Sequence, residues 1–271
     1  MEQSIQETPT KLYKYFYEPK ANIIVKENIR WGATQTINNS TLNERYDYKA
    51  TKDKGTYRII SIGDSFTYGL HCNTEENWSE QLEDLLNIKC KQNKFNKFEV
   101  INLGVSGYDP SYVVERMKRR GLKYDPDLLL WLFFDPPRNT ELIHSLITQS
   151  RKLFVNNDDA WRYGYEKSLL SQDVMMVYTL QTNALKHMRE VYNNRMTMLL
   201  LKDGENNIKF KYLFDFANKD ARTKVFEVTN TISDIKFHFS NDVHPNPNGH
   251  RVIAEDIYKY LTTVENLNCI K

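Results

Sequence analysis

The hydrophobic pattern sharpens after residue 55. Tyr57-Arg58-Ile59-Ile60-Ser61-Ile62 is a β-branched run that stops at Gly63, which predicts a strand with a turn behind it. From Glu75 to Asn87 the apolar positions are Trp78, Leu82, Leu85 and Leu86, the single stripe of an amphipathic helix. Phe98 to Leu103 predicts a second strand, ending at Gly104. Ser111 to Lys123 predicts a helix with Pro110 beside its first turn. Leu128 to Phe134 is a continuous apolar run, the pattern of a parallel strand buried on both faces. Met196 to Leu201 and Lys224 to Val228 add a fourth and a fifth strand. Gly249 to Leu261 forms a last helix whose apolar face is Val252, Ile253, Ile257, Tyr260 and Leu261.

Strands and helices that alternate with short connections predict an α/β fold, a three-layer, doubly wound sheet of about five parallel strands. Residues 1–50 are polar with scattered aromatics and are expected to form an arm or cap with little regular structure. Residues 51–271 form the main domain, with a helical insert at about 141–195. Two helices are expected in that insert, at Leu142 to Leu153 and Asp173 to Tyr192, with Trp161-Arg162-Tyr163-Gly164-Tyr165 between them. In open parallel sheets the ligand site lies beyond the carboxyl ends of the strands. Gly63-Asp64-Ser65, Gly104 to Gly107 and Asp135 to Asn139 all follow strand ends, so three distant segments are expected on one rim.

Composition narrows the function classes. The 271 residues include 37 Lys and Arg against 35 Asp and Glu, a formal charge of +2 that offers no footprint for nucleic acid or a membrane surface. Basic clusters such as Lys118-Arg119-Arg120 are expected to be solvated faces. No stretch approaches the ~20 apolar residues of a membrane span. Residues 1–20 have no apolar segment of the signal-peptide kind, which makes a cytoplasmic location the default expectation unless the N-terminus was trimmed. Cys72, Cys90 and Cys269 show no paired spacing. That argues against a disulfide framework or a zinc site and slightly favours a reducing compartment.

The candidate chemistry sits at two strand-to-helix connections. Ser65, at the end of the first core strand, is held on a tight turn before a helix whose N-terminal amides would face developing negative charge. A serine hydroxyl needs a base within hydrogen-bond reach, and the base needs an orienting group. Both are found in Asn241-Asp242-Val243-His244-Pro245, just before the last helix. His244 suits the general base and Asp242 its partner, although a Ser–His dyad supported by backbone carbonyls would also serve. The elbow G-x-S-x-G is absent around Ser65. Asp64 is expected to bond turn amides. His71, His144, His187 and His238 show no partner pattern and are expected to be incidental, and His250 to pack or cap in the last helix's first turn.

Gly63-Asp64-Ser65-Phe66 resembles the first signature block of the SGNH/GDSL hydrolase superfamily. Asn102-Leu103-Gly104-Val105-Ser106-Gly107 resembles its second, and Asp242-Val243-His244-Pro245 with Asn248-Gly249-His250 its last. The agreement covers roughly residues 55–135 and 235–262. The resemblance implies a flavodoxin-like sheet, a catalytic Ser65, an Asp/His pair on the final loop, and no metal or cofactor. It also implies an oxyanion hole formed by the backbone N–H groups of Ser65 and Gly107 and by an Asn side chain from a G-x-N-D block. Here that block reads Pro137-Arg138-Asn139-Thr140: Asn139 keeps the amide, while Pro137 and Thr140 depart from the pattern. Asp242 gives D-x-H spacing where many members have D-x-x-H.

These readings imply a serine esterase that cleaves small acyl esters, O-acetyl groups on carbohydrate among them, through an acyl-enzyme on Ser65. Two alternatives stay open: an O-acyltransferase to a sugar hydroxyl, and a non-catalytic module that binds a phosphate-bearing ligand. Trp161, Tyr163 and Tyr165 could stack on a sugar ring or form the core of the insert. The partner expected is a small-molecule or carbohydrate ester. Oligomeric state is not legible.

Overall fold

A computed structural model describes residues 4–27, 31–90, 95–134, 139–171, 173–201, 210–229, 231, 233–264 and 267. The first fifty residues hold more regular structure than their polar composition suggests. β1 (Ile5–Glu7) pairs antiparallel with β2 (Tyr17–Pro19), and β3 (Ile23–Lys26) pairs antiparallel with β4 (Thr34–Ile37). These strands are too short for the period-2 pattern to register in sequence.

The core is five parallel strands: β5 (Thr56–Ile62), β6 (Lys97–Asn102), β7 (Leu128–Phe133), β8 (Arg195–Leu201) and β9 (Thr223–Val228). Their order is β6-β5-β7-β8-β9, the flavodoxin-like arrangement with its switch point between β5 and β7. Central position explains composition. Every residue of β5 and β7 is buried, so β7 reads as an unbroken apolar run and β5 as a largely apolar one whose buried Arg58 pairs with Glu99, whereas edge strand β9 is only partly covered.

Alternate side chains of the sheet enter two apolar layers. Ile59, Val100, Leu128, Leu130 and Leu199 pack with α2 (Trp78–Lys89) and α8 (Pro247–Thr263). Ile60, Ile62, Ile101, Leu129, Trp131 and Met198 pack with α3 (Pro110–Arg116) and α6 (Val174–Val191). The helix expected over 111–123 ends as α3 and continues through a π turn at Met117–Gly121 and a 3₁₀ turn at Leu122–Tyr124.

Three further corrections concern the periphery. The insert contains three helices, not two: α4 (Thr140–Ser150), α5 (Asn157–Ser171) and α6. Trp161, Tyr163 and Tyr165 lie within α5 rather than between helices. The Lys118-Arg119-Arg120 cluster is not merely a solvated face, because Arg120 makes two 2.8 Å bonds to the buried carboxylate of Glu18 in β2. Glu18 also pairs with the fully buried Arg116 of α3. Burial pushes the Glu18 carboxyl up, but Arg120 and Arg116 outweigh it and hold the pKa at about 2. Finally, Cys90 is disulfide-bonded and Cys72 is a buried free thiol, while Cys269 lies outside the described residues. The disulfide at Cys90 overturns the expectation of unpaired thiols, so the cysteines no longer favour a reducing compartment.

Candidate active site

Ser65 opens α1 (Ser65–Tyr68), the single helical turn after β5. Asp64 caps that turn by accepting from the Phe66 N–H at 2.9 Å. As the first residue of the turn, Ser65 has an N–H among the amides without an internal partner. Gly104 lets the β6 loop approach this turn: a Cβ there would lie 2.4 Å from the Tyr68 nitrogen. Asn102 ties the same two segments together, donating to the Thr67 carbonyl and accepting from the Gly104 N–H.

His244 and Asp242 arrive on a braced loop. Phe239 N–H donates to the His244 carbonyl, and Asp242 N–H to the Phe239 carbonyl. The Asn246 amide donates to the Lys236 and His238 carbonyls, while its oxygen caps α8 at Gly249. His238, expected to be incidental, places its Nδ1 3.0 Å from the Asp242 carbonyl. Asn241 takes the left-handed conformation (φ 61°) that Asn tolerates.

The structure brings Ser65, His244 and Asp242 into one line. His244 Nε2 is 2.8 Å from Ser65 Oγ, and His244 Nδ1 is 2.5 Å from Asp242 Oδ1. The same Oδ1 accepts from the His244 backbone N–H at 2.9 Å, which fixes the carboxylate against the ring. Burial pushes the Asp242 carboxyl up. The N–H and ring of His244 and the charge of His71 outweigh that, and its pKa lies below the usual carboxylate value. An ionised Asp242 is an acceptor only, so Nδ1 carries the proton and Nε2 is left to accept from the serine.

The remaining site residues are linked through Asp109. Gly107 sits at φ +82°, and a Cβ there would meet the Tyr17 hydroxyl at 2.7 Å. Tyr17, in β2, donates to the Ser106 carbonyl at 2.7 Å, so the arm braces this loop. Asn139 Oδ1 accepts from the Leu142 N–H at 3.0 Å and caps α4, which leaves its Nδ2 as the end able to donate. Thr140, which stands where the resemblance has an aspartate, donates its hydroxyl to the Gly107 carbonyl at 3.1 Å. Asp109 accepts from Ser111 and Tyr112 with one oxygen and from the Thr140 N–H with the other. One buried carboxylate thus joins the Gly107 loop to the Asn139 cap. Pro137 and Arg138 lie outside the described residues.

His71, read from sequence as incidental, lies against the acid of this line. Its Nε2 is 3.6 Å from Asp242 Oδ2 and its Nδ1 is 2.6 Å from Glu27 Oε1. Trp31 and Phe239 flank its ring at 4.4 and 5.9 Å. No spacing rule connects residues 27, 71 and 242, and only the folded arm brings them together. His250 is fully buried, and its Nδ1 accepts from the Trp78 N–H at the start of α2 rather than serving its own helix. Burial, aided by the charge of His244, pushes His250 down to about 3 and keeps it neutral.

His71, Asp242 and His244 have the side-chain types of a metal site, with candidate ligand atoms within 4.8 Å of one another. The 2.5 Å Asp242–His244 separation is a hydrogen bond. Two ligands each about 2.0–2.1 Å from a tetrahedral zinc would stand well over 3 Å apart. A cavity of about 410 Å³ lies beside Asn139, lined by Tyr13, Tyr15, Asp109, Tyr112 and Glu141 among others. Trp161, Tyr163 and Tyr165 are not part of its lining. Trp161 stacks on Tyr165 at 5.0 Å, and Tyr163 meets Phe154 at 5.2 Å.

Among solved structures, the psychrotrophic esterase EstA from Pseudoalteromonas sp. superposes with a TM-score of 0.53 at 14% identity, covering 77% of this chain and 98% of its own. A lipolytic protein of the G-D-S-L family from Desulfitobacterium hafniense gives 0.48 at 16% identity, covering 74% and 98%. The family 3 carbohydrate esterase of Clostridium thermocellum gives 0.46 at 16%, covering 79% and 98%. The chain has the SGNH hydrolase fold. No protein-family model and no curated protein matches the sequence. In the SGNH fold of this chain, Ser65 follows the first core strand and the Asp242–His244 loop precedes the last helix. Both lie at carboxyl ends of the sheet or in its connections, as the open-sheet rule requires. Among the described residues no helix is long and apolar enough to cross a membrane.

Proposed function

We propose that this protein is a serine esterase that cleaves small acyl esters through an acyl-enzyme on Ser65. The observation that carries the reading is the hydrogen-bonded line from Ser65 Oγ through His244 to Asp242. Ser65 Oγ attacks the ester carbonyl as His244 Nε2 takes its proton, and Asp242 stabilises the imidazolium. The N–H groups of Ser65 and Gly107, with Asn139 Nδ2, hold the oxyanion. The proton on His244 then passes to the departing alcohol. Water, deprotonated by the same ring, releases the acid and restores the serine.

The stacked, half-exposed Trp161–Tyr165 pair offers a flat aromatic face of the kind that suits a sugar ring, which supports an O-acetylated carbohydrate as substrate. The test is release of p-nitrophenol from p-nitrophenyl acetate and of acetate from acetylated oligosaccharides, by wild type and Ser65→Ala. Turnover by wild type alone supports the reading. Equal rates from the two proteins would exclude it. Acetyl ester formed on an added sugar acceptor, in place of free acetate, would reassign the activity to acyl transfer.

A further inference from the structure

We propose that His71 is a positioning residue for the triad: an imidazolium clamped between Glu27 of the N-terminal arm and Asp242, which holds the acid in register with His244. The inference deepens the esterase reading and rests on it.

A carboxylate faces each nitrogen of the ring. His71 Nδ1 is 2.6 Å from Glu27 Oε1, and Nε2 faces Asp242 Oδ2 at 3.6 Å. Ionised carboxylates accept only, and a neutral imidazole has one N–H. With one proton, a ring lone pair would point at a carboxylate oxygen; with two, each nitrogen faces an acceptor of opposite charge. Asp242 then divides its two oxygens, Oδ1 to His244 and Oδ2 to His71. Burial pushes Asp242 up, and His71 is one of the charges that brings it back down.

The surroundings fix His71 in this role. Its backbone takes φ 70°, uncommon for a residue with a Cβ. The turn that places it is shaped by Gly69, which leaves the α1 turn in the left-handed conformation. Among the described residues, the titratable groups around the ring are Glu27 from the arm and Asp242 and His244 from the final loop, the last with its ring 5.6 Å away. Trp31 and Phe239 close the remaining sides and limit the screening water. The arm therefore reaches the site twice, at the acid through Glu27 and at the Gly107 loop through Tyr17.

Two consequences separate this role from a merely structural one. The clamp holds Asp242 where His244 needs it, so its loss slows acylation. A cation 5.6 Å from His244 also disfavours a second proton there, so its loss makes the site protonate at higher pH. The experiment is the second-order rate of labelling by a fluorophosphonate probe from pH 5 to 9. The proteins are the full-length wild type, Ser65→Ala, His71→Gln and Glu27→Gln.

His71→Gln is expected to label several-fold more slowly at neutral pH, with the acid limb of the profile moved upward by about 0.5–1 pH unit. Glu27→Gln removes the carboxylate that favours the second proton on His71, leaves the ring more often neutral, and so moves the limb the same way by less. Labelling at the wild-type rate with an unmoved limb in both variants overturns the proposal, as does uniform slowing with no shift. Should His71→Gln fail to fold, Glu27→Gln decides alone. Wild type that labels no faster than Ser65→Ala removes the esterase reading itself, and this inference with it.

Discussion

Asp242 carries more than its place in the loop suggests. One of its oxygens accepts from both the backbone and the ring of His244, and the other faces His71. Asp242→Asn keeps the shape but presents an amide that can donate toward Nδ1, which favours the tautomer with Nε2–H aimed at the serine. The expected loss in kcat on p-nitrophenyl acetate is about 10²–10⁴-fold, with KM within a few-fold. An unchanged kcat would move the site to a Ser–His dyad. Sequence already placed Ser65, Asp242 and His244 as a set, because each falls in a short block beside a strand end. His71 and Asp109 were not legible. Their partners are 44 to 171 residues away for His71, and Asp109 works mainly through the backbone amides of Ser111, Tyr112 and Thr140, which carry no residue-type signal.

At the scale of elements, α5 shows why the insert was misread. Its inward stripe is Ala160, Gly164 and Ser168, spaced four apart, while Trp161, Tyr163, Leu169 and Leu170 face outward. A reading that looks for large apolar residues on the inner face finds none. Close approach is the reason: a Cβ on Gly164 would lie 2.6 Å from the Ile147 Cα of α4.

Helix α2 carries a different device, a carboxylate cluster of Glu80 and Glu83 with Glu44 of the arm. Burial pushes Glu83 up to about 7, assisted by the charge of Glu80 and opposed by the Val100 N–H and the Tyr48 hydroxyl. Burial first, and then Glu80, push Glu44 up as well. A carboxyl whose folded pKa is raised stabilises the fold fully below its unfolded value near 4.5, and that contribution is lost as pH rises through 7. Wild type should therefore lose up to ~3 kcal/mol from Glu83 between pH 5 and 8, and Glu83→Gln should lose less. Parallel stability–pH curves from urea denaturation would contradict this.

On the scale of the whole molecule, the first fifty residues belong to the core rather than lying on it. Phe16, Tyr17 and Leu42 are buried in the same apolar layer as Trp131 and Met198. Glu18 is fully buried against Arg116, and breaking such a pair strands the remaining charge. Glu18→Ala should cost about 3–5 kcal/mol, read as a fall in the midpoint of one unfolding transition shared by arm and sheet. A variant as stable as wild type, or an arm that melts separately, would show the two to be independent.

The parallel sheet was legible because buried strands leave unbroken apolar runs and their connections are short. The arm was not, because its strands are three or four residues long and its anchors are charged residues that sequence statistics assign to the surface.

The most direct measurement is intact-mass detection of fluorophosphonate labelling on wild type, Ser65→Ala and His244→Ala. A single adduct on wild type, none on Ser65→Ala and little on His244→Ala is the result expected of a serine activated by His244. Folded wild type without an adduct, or an adduct that persists in Ser65→Ala, would contradict it.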